Sequence, residues 1–158
     1  MKKILLTILL IIFVTGCSNN LQAPVNDRVL ESLMNRYVDA FKKADYNKMQ
    51  NVMPSFVFVS NITQFSKEVF DQKIKELRET YGDNYNISYV INNRQHLNSD
   101  ELSKLNELIQ NSFKTNELAT DCYYLDGTIN FSNSNKKSDE SLNSYYCEYN
   151  NTWYLIIN

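Results

Sequence analysis

From Leu30 onward apolar residues recur at steps of three and four. Leu30, Leu33, Met34, Tyr37 and Phe41 form one stripe, Ala44 extends it, and Glu31, Asp39 and Lys42 fall on other faces. That spacing predicts an amphipathic helix, and Asn26 or Asp27 is placed to cap it. A break at Asp45 separates a second, short helix over Tyr46–Val52, which Pro54 keeps from continuing. The run "SFVFVS", residues 55–60, fits a helix or a strand by period alone. Over Ser66–Tyr81, Val69, Phe70, Ile74, Leu77 and Tyr81 share one helical face, and Gly82 sits where a helix-ending glycine belongs.

The period then changes to two. Ile87, Tyr89 and Ile91 alternate with Ser88, Val90 and Asn92, the pattern of a half-buried strand. One more helix intervenes, with Asn98 and Glu101 spaced as a capping box and Leu102, Leu105, Leu108, Ile109 and Phe113 as its apolar stripe. The remainder reads as strands. "DCYYLDGTINF" leads into a polar loop, "SNSNKKSDES", followed by "SYYCEY", an Asn150-Asn151 turn and "TWYLII". Helices first and a meander of strands last predict an α+β fold with helices packed on one face of an antiparallel sheet.

Ahead of these elements stands a segment of another kind. Met1-Lys2-Lys3 precedes eleven apolar or small residues, Ile4 to Val14, interrupted only by Thr7, and then Thr15-Gly16-Cys17. This is a charged start, an apolar run and a small-residue cleavage zone, the layout of a signal peptide. The apolar run is shorter than the ~20 residues that span a bilayer. Val14-Thr15-Gly16-Cys17 resembles the bacterial lipobox, which implies that the Cys17 thiol takes a diacylglyceryl group and that cleavage falls just before it. Two acyl chains give stable anchoring where one gives reversible binding. The expected organisation is a signal peptide over 1–16, a lipidated tether over 17–26 and one domain over 27–158, held at the extracytoplasmic face of the cell membrane.

Charge narrows the partners. Removing Lys2 and Lys3 from the 16 Lys and Arg leaves 14 basic against 18 acidic side chains, a net charge of −4. This does not suit a nucleic-acid partner or a polybasic lipid patch. The expected partners are the membrane, through the lipid, and an unknown protein or small-molecule ligand.

The order of elements resembles the cystatin-like superfamily that includes nuclear transport factor two and ketosteroid isomerase. "YVDAFKKADYNKMQNVMPSFV", "YGDNYNISYVI", "LNSDELSKLNELI" and "NNTWYLI" are similar to segments of uncharacterised Gram-positive lipoproteins assigned to that fold. The resemblance implies a cystatin-like cone, a curved antiparallel sheet wrapped around the first long helix. It brings no catalytic residues to carry over.

Chemistry is sparse. His96 is the single histidine, between a strand and a helix, with no visible metal-ligating partners and no adjacent carboxylate to orient it as a base. It reads as a surface or loop-anchoring residue. No phosphate loop, zinc signature or nucleophile elbow occurs, so no cofactor and no metal are expected. If the Asn150-Asn151 turn is a two-residue hairpin, Glu148 pairs with Trp153 and shares the apolar face of Tyr146, Leu155 and Ile157. Glu148, Tyr146 and Trp153 then mark a candidate pocket. Glu148 is either the base of a ketosteroid-isomerase-style enzyme or a hydrated or lysine-paired rim residue. Asp39, opposite the apolar stripe, is the poorer candidate.

The 11 tyrosines, six of them in the last two hairpins, suit a half-buried sheet face or a recognition surface. A binding or interaction module is the leading reading, ahead of an enzyme or an accessory subunit of an envelope complex.

Two cysteines remain after Cys17. Parity puts Cys122 on the face opposite Tyr123 and Leu125, and Cys147 opposite Tyr146, so both are expected to point away from the helices. A loop centred between Ser134 and Asn135 places them directly across from each other. A disulfide fits an even pair outside the membrane, and two reduced, packed thiols are the competing reading.

Overall fold

The computed structural model describes residues 27–59 and 66–157. Its elements are α1 (Asp27–Lys43), α2 (Tyr46–Gln50), α3 (Phe56–Val59), α4 (Lys67–Tyr81), β1 (Asn86–His96), α5 (Ser99–Phe113), β2 (Asp121–Ser132), β3 (Lys137–Tyr149) and β4 (Thr152–Ile157). The four strands form one antiparallel sheet in the order β1-β2-β3-β4. The architecture is α+β. The signal peptide, Cys17 and the tether lie outside the described residues.

Local chemistry sets the helix ends. Ser66 accepts from the Val69 N–H at 3.3 Å to start α4, and Gly82, at φ 82°, ends it. Asn98 accepts from the N–H groups of Asp100 and Glu101 while Glu101 accepts from the Asn98 N–H at 2.9 Å, so the expected capping box opens α5. The run left open between helix and strand is helical over Phe56–Val59, and Ser60 is not among the described residues. Phe56 decides it by packing on both Phe113 and Tyr149, with centroids 5.5 and 5.4 Å apart.

The sheet is curved, and α1 approaches both of its edge strands, β1 and β4. Leu30, Leu33, Met34 and Tyr37 are buried beneath it, together with Leu125, Ile129, Phe131, Leu142 and Leu155 of the strands. α4 shares this face. Its Tyr81 ring lies beside Phe131, its Tyr81 hydroxyl bonds Ser138, and its Lys73 pairs with Glu140 at 2.8 Å.

Two expectations need correction. The ten-residue polar loop is a four-residue connection over 133–136, and β3 begins at Lys137. Asn133 closes that turn by accepting from the N–H groups of Asn135 and Lys136, and its amide donates to the Tyr81 carbonyl. Residues 137–141 are exposed strand at an open edge of the sheet, because β4 pairs only with residues 144–149 of β3.

The helices also do not keep to one face. Tyr149 shares the face of Cys147 and packs through Phe56 to Phe113 of α5, while the Asn106 side chain of α5 exchanges two hydrogen bonds with the Ala119 backbone. α5 therefore lies on the cysteine side, and both cysteines have no exposed surface. They face away from α1 and α4 but not toward solvent.

Candidate functional site

The site is prepared by an irregularity in β1. Ile91 pairs with Gly127, and the next pair is Asn93 with Asp126, so Asn92 is an extra, bulged residue. Before the bulge, Ile87, Tyr89 and Ile91 face α1. After it the parity inverts, and Arg94 and His96 occupy that face opposite Leu125 and Tyr123. An unbroken strand would have put Asn93 and Gln95 there instead.

At the end of this face, His96 Nε2 lies 2.6 Å from Asp121 Oδ1. A carboxylate only accepts, so the imidazole donates through Nε2 and leaves Nδ1 toward its other surroundings. Asp121 Oδ1 is held in turn by the Cys122 N–H at 2.8 Å. The imidazole lies on the Tyr123 ring at 4.8 Å, and the Arg94 guanidinium stands 5.7 Å from the same ring. His96 thus has the carboxylate partner that the sequence did not reveal, since 25 residues separate the two.

The candidate residues Tyr146, Glu148 and Trp153 are brought to the same place. Glu148 pairs with Trp153 on β4 and with Asp121 on β2, so two carboxylates face each other across the strands. Thr120 Oγ1 donates to Glu148 Oε2 at 3.1 Å. Trp153 stacks on Tyr146 with centroids 4.4 Å apart and reaches Tyr123 at 6.0 Å. Tyr146 is fully buried, and among the described residues its hydroxyl has no hydrogen-bond partner. Burial pushes its pKa up to about 12, with Tyr123 and Glu148 adding to the rise and Arg94 opposing it. Burial also raises Tyr123, helped by Asp121 and opposed by Arg94.

The rings fill the interior beside Glu148. Two surface depressions lie elsewhere and open to solvent: one of about 610 Å³ on the outer face of α1, lined by Arg28, Glu31 and Asp39 among others, and one of about 310 Å³ beside α4. Asp39 belongs to the first and is paired with Lys43 at 2.8 Å and with Lys48. Hydrogen bonds from Lys43 and then Lys48 hold its carboxyl below the usual range. Among the described residues no three of His, Cys, Asp and Glu converge as a metal site, and no helix is long and apolar enough to cross a membrane.

Arg94, Thr120 and Asp121 are residues of this site that no motif or spacing in the sequence marks. The available signal was Gly127, a glycine inside a strand pattern, which marks a bulge or a close backbone approach.

Cys122 and Cys147 stand in register with Cα atoms 4.1 Å apart, within disulfide distance. The Cys122 carbonyl accepts from the Leu97 N–H on the β1 side, so toward β3 the cysteines occupy the closer, non-hydrogen-bonded type of pair. Residues 1–18 match the family described as the prokaryotic membrane lipoprotein lipid attachment site. No curated protein and no solved structure matches the chain. The attachment site and its apolar leader support a prokaryotic lipoprotein anchored to the membrane.

Proposed function

We propose that the protein is an extracytoplasmic binding module of cystatin-like architecture, lipidated at Cys17 and presenting the aromatic end of its sheet as a recognition surface. The signal peptide covers 1–16, the tether 17–26 and the domain 27–158. The observation that carries the reading is the packing of half-buried Trp153 on Tyr146 beside half-buried Glu148, with Arg94 over the neighbouring Tyr123 ring. Tryptophan, tyrosine and arginine are the residue types enriched at recognition surfaces.

The experiment is complementation of a deletion strain in the source bacterium. Glu148→Gln is expected to complement like the natural protein, whereas Trp153→Ala and Cys17→Ser do not. Loss of complementation by Glu148→Gln in a folded, membrane-held protein replaces this reading with the enzyme in which Glu148 is the base. Mass spectrometry of the extracted protein should find the diacylglyceryl group on an N-terminal Cys17. A freshly made mature chain that starts downstream of Cys17 ends the lipidation assignment.

A further inference from the structure

The start of α1 and the aromatic end of the sheet lie on the same side of the domain. Near the C-terminal end of α1, the Phe41 carbonyl accepts from the Tyr85 hydroxyl at 3.0 Å, just before β1 begins. Further toward the start of α1, the Glu31 carboxylate acts on Tyr89, farther along β1, adding to the rise that burial imposes on its pKa. α1 therefore runs antiparallel to β1, and Asp27 is directed toward the end of the sheet where β1 finishes at His96. From Asp27 the chain continues back through 17–26 to the lipidated residue. Ten residues reach at most ~35 Å when fully extended, about the diameter of a domain this size.

That end carries Trp153, half-buried, with the rings of Tyr123 and His96 beside it. Leu118, 53% exposed, stands in the loop that enters β2, next to Glu117, whose charge reaches Tyr149 at the end of β3. Tryptophan and tyrosine favour the membrane–water boundary because each has an apolar body and a polar tip. The charged groups beside these rings are mixed, with Arg94 against Asp121 and Glu148. Attraction to a bilayer then rests on Trp153 and Leu118 rather than on anionic headgroups, and a zwitterionic surface suffices.

We infer that this end is a membrane-docking surface, so that the anchored domain stands on the bilayer with Trp153 at headgroup level. The inference rests on the anchored-module reading and names the lipid interface as the partner of its aromatic end.

Trp153 is the single tryptophan, so its emission reports this surface directly. The mature lipidated protein is reconstituted into phosphatidylcholine vesicles whose acyl chains carry bromine. Trp153 emission is expected to fall relative to unbrominated vesicles, and Leu118→Glu, at an exposed position, restores it while the protein still floats with the vesicles. Unchanged emission in brominated vesicles that carry the protein overturns docking and leaves the binding module with a soluble or protein partner. Lipidated protein that does not float with vesicles overturns the anchored reading and docking together.

Discussion

Gly127 lies opposite Ile91 so closely that a methyl group on its Cα would stand 2.4 Å from the Val90 carbonyl oxygen and 3.3 Å from the Ile91 Cα. Both contacts are to backbone, so no side-chain rotation relieves them. The bulge at Asn92 follows at once, and with it the inversion that turns Arg94 and His96 onto the helix-covered face. Gly127→Ala is therefore expected to destabilise the domain by about 1–3 kcal/mol, the range for overpacking. Urea unfolding should show a lower midpoint, and the His96 imidazole resonances should move as the Asp121 contact loosens. Unchanged stability together with unchanged His96 resonances counts against the steric role of Gly127.

Tyr146 gives a test of opposite sign. Its ring packs on Trp153 and Tyr123, while its hydroxyl is buried without a partner among the described residues. Burying such a group costs about 1–3 kcal/mol. Tyr146→Phe keeps the rings and removes that cost, so it should leave the unfolding free energy unchanged or raise it. Tyr146→Ala should lower it by about 3–5 kcal/mol through the cavity it leaves. A loss of stability in the phenylalanine variant as large as that in the alanine variant would refute the unpartnered hydroxyl.

Alkaline pH tests burial. Desolvation raises the pKa of Tyr37, Tyr146 and Tyr149, and Tyr146 moves from 10.0 to about 12. The unfolded chain loses these protons first. The stability they contribute is fully present below pH 10 and, for Tyr146, is lost as the pH rises from 10 to about 12. A titration followed by tyrosinate absorbance and far-ultraviolet dichroism should show a fraction of tyrosines ionising only as the fold is lost. Ionisation of every tyrosine near pH 10 with the fold intact contradicts the burial.

Local rules carry some elements of this fold and fail at others for identifiable reasons. The Asn98–Glu101 box, the Ser66 and Gly82 ends of α4 and the Glu148–Trp153 pair depend on a few neighbouring residues, and each was legible. Asn150 and Asn151 take φ values of 50° and 61°, the left-handed pair that sets the β3–β4 register. α3 was not legible, because four apolar residues suit either period and the contacts of Phe56 decide. The start of β3 was not legible, because its polar residues alternate against nothing. His96 and Asp121 meet through a bulge and a helical excursion, and no spacing rule joins them.

The last prediction concerns the staple. Cys122 and Cys147 are fully buried in a directly opposed pair, with 25 residues of sequence separation between them. If oxidised, they close the β2–β3 hairpin at the end where His96, Asp121 and Glu148 lie. Closing a loop of that size contributes ~3 kcal/mol by restricting the unfolded chain. Because Asp121 and Glu148 are the residues next to the two cysteines, the bridge also fixes the separation of the two carboxylates. The paired Cys122→Ala and Cys147→Ala variant should unfold at a lower urea concentration by an amount of that order. Non-reducing peptide mapping of alkylator-trapped protein should recover the two cysteine peptides linked, and their recovery as separate alkylated species would show two packed thiols instead. In that case a reductant leaves the urea midpoint of the natural protein unchanged, which checks the mapping independently.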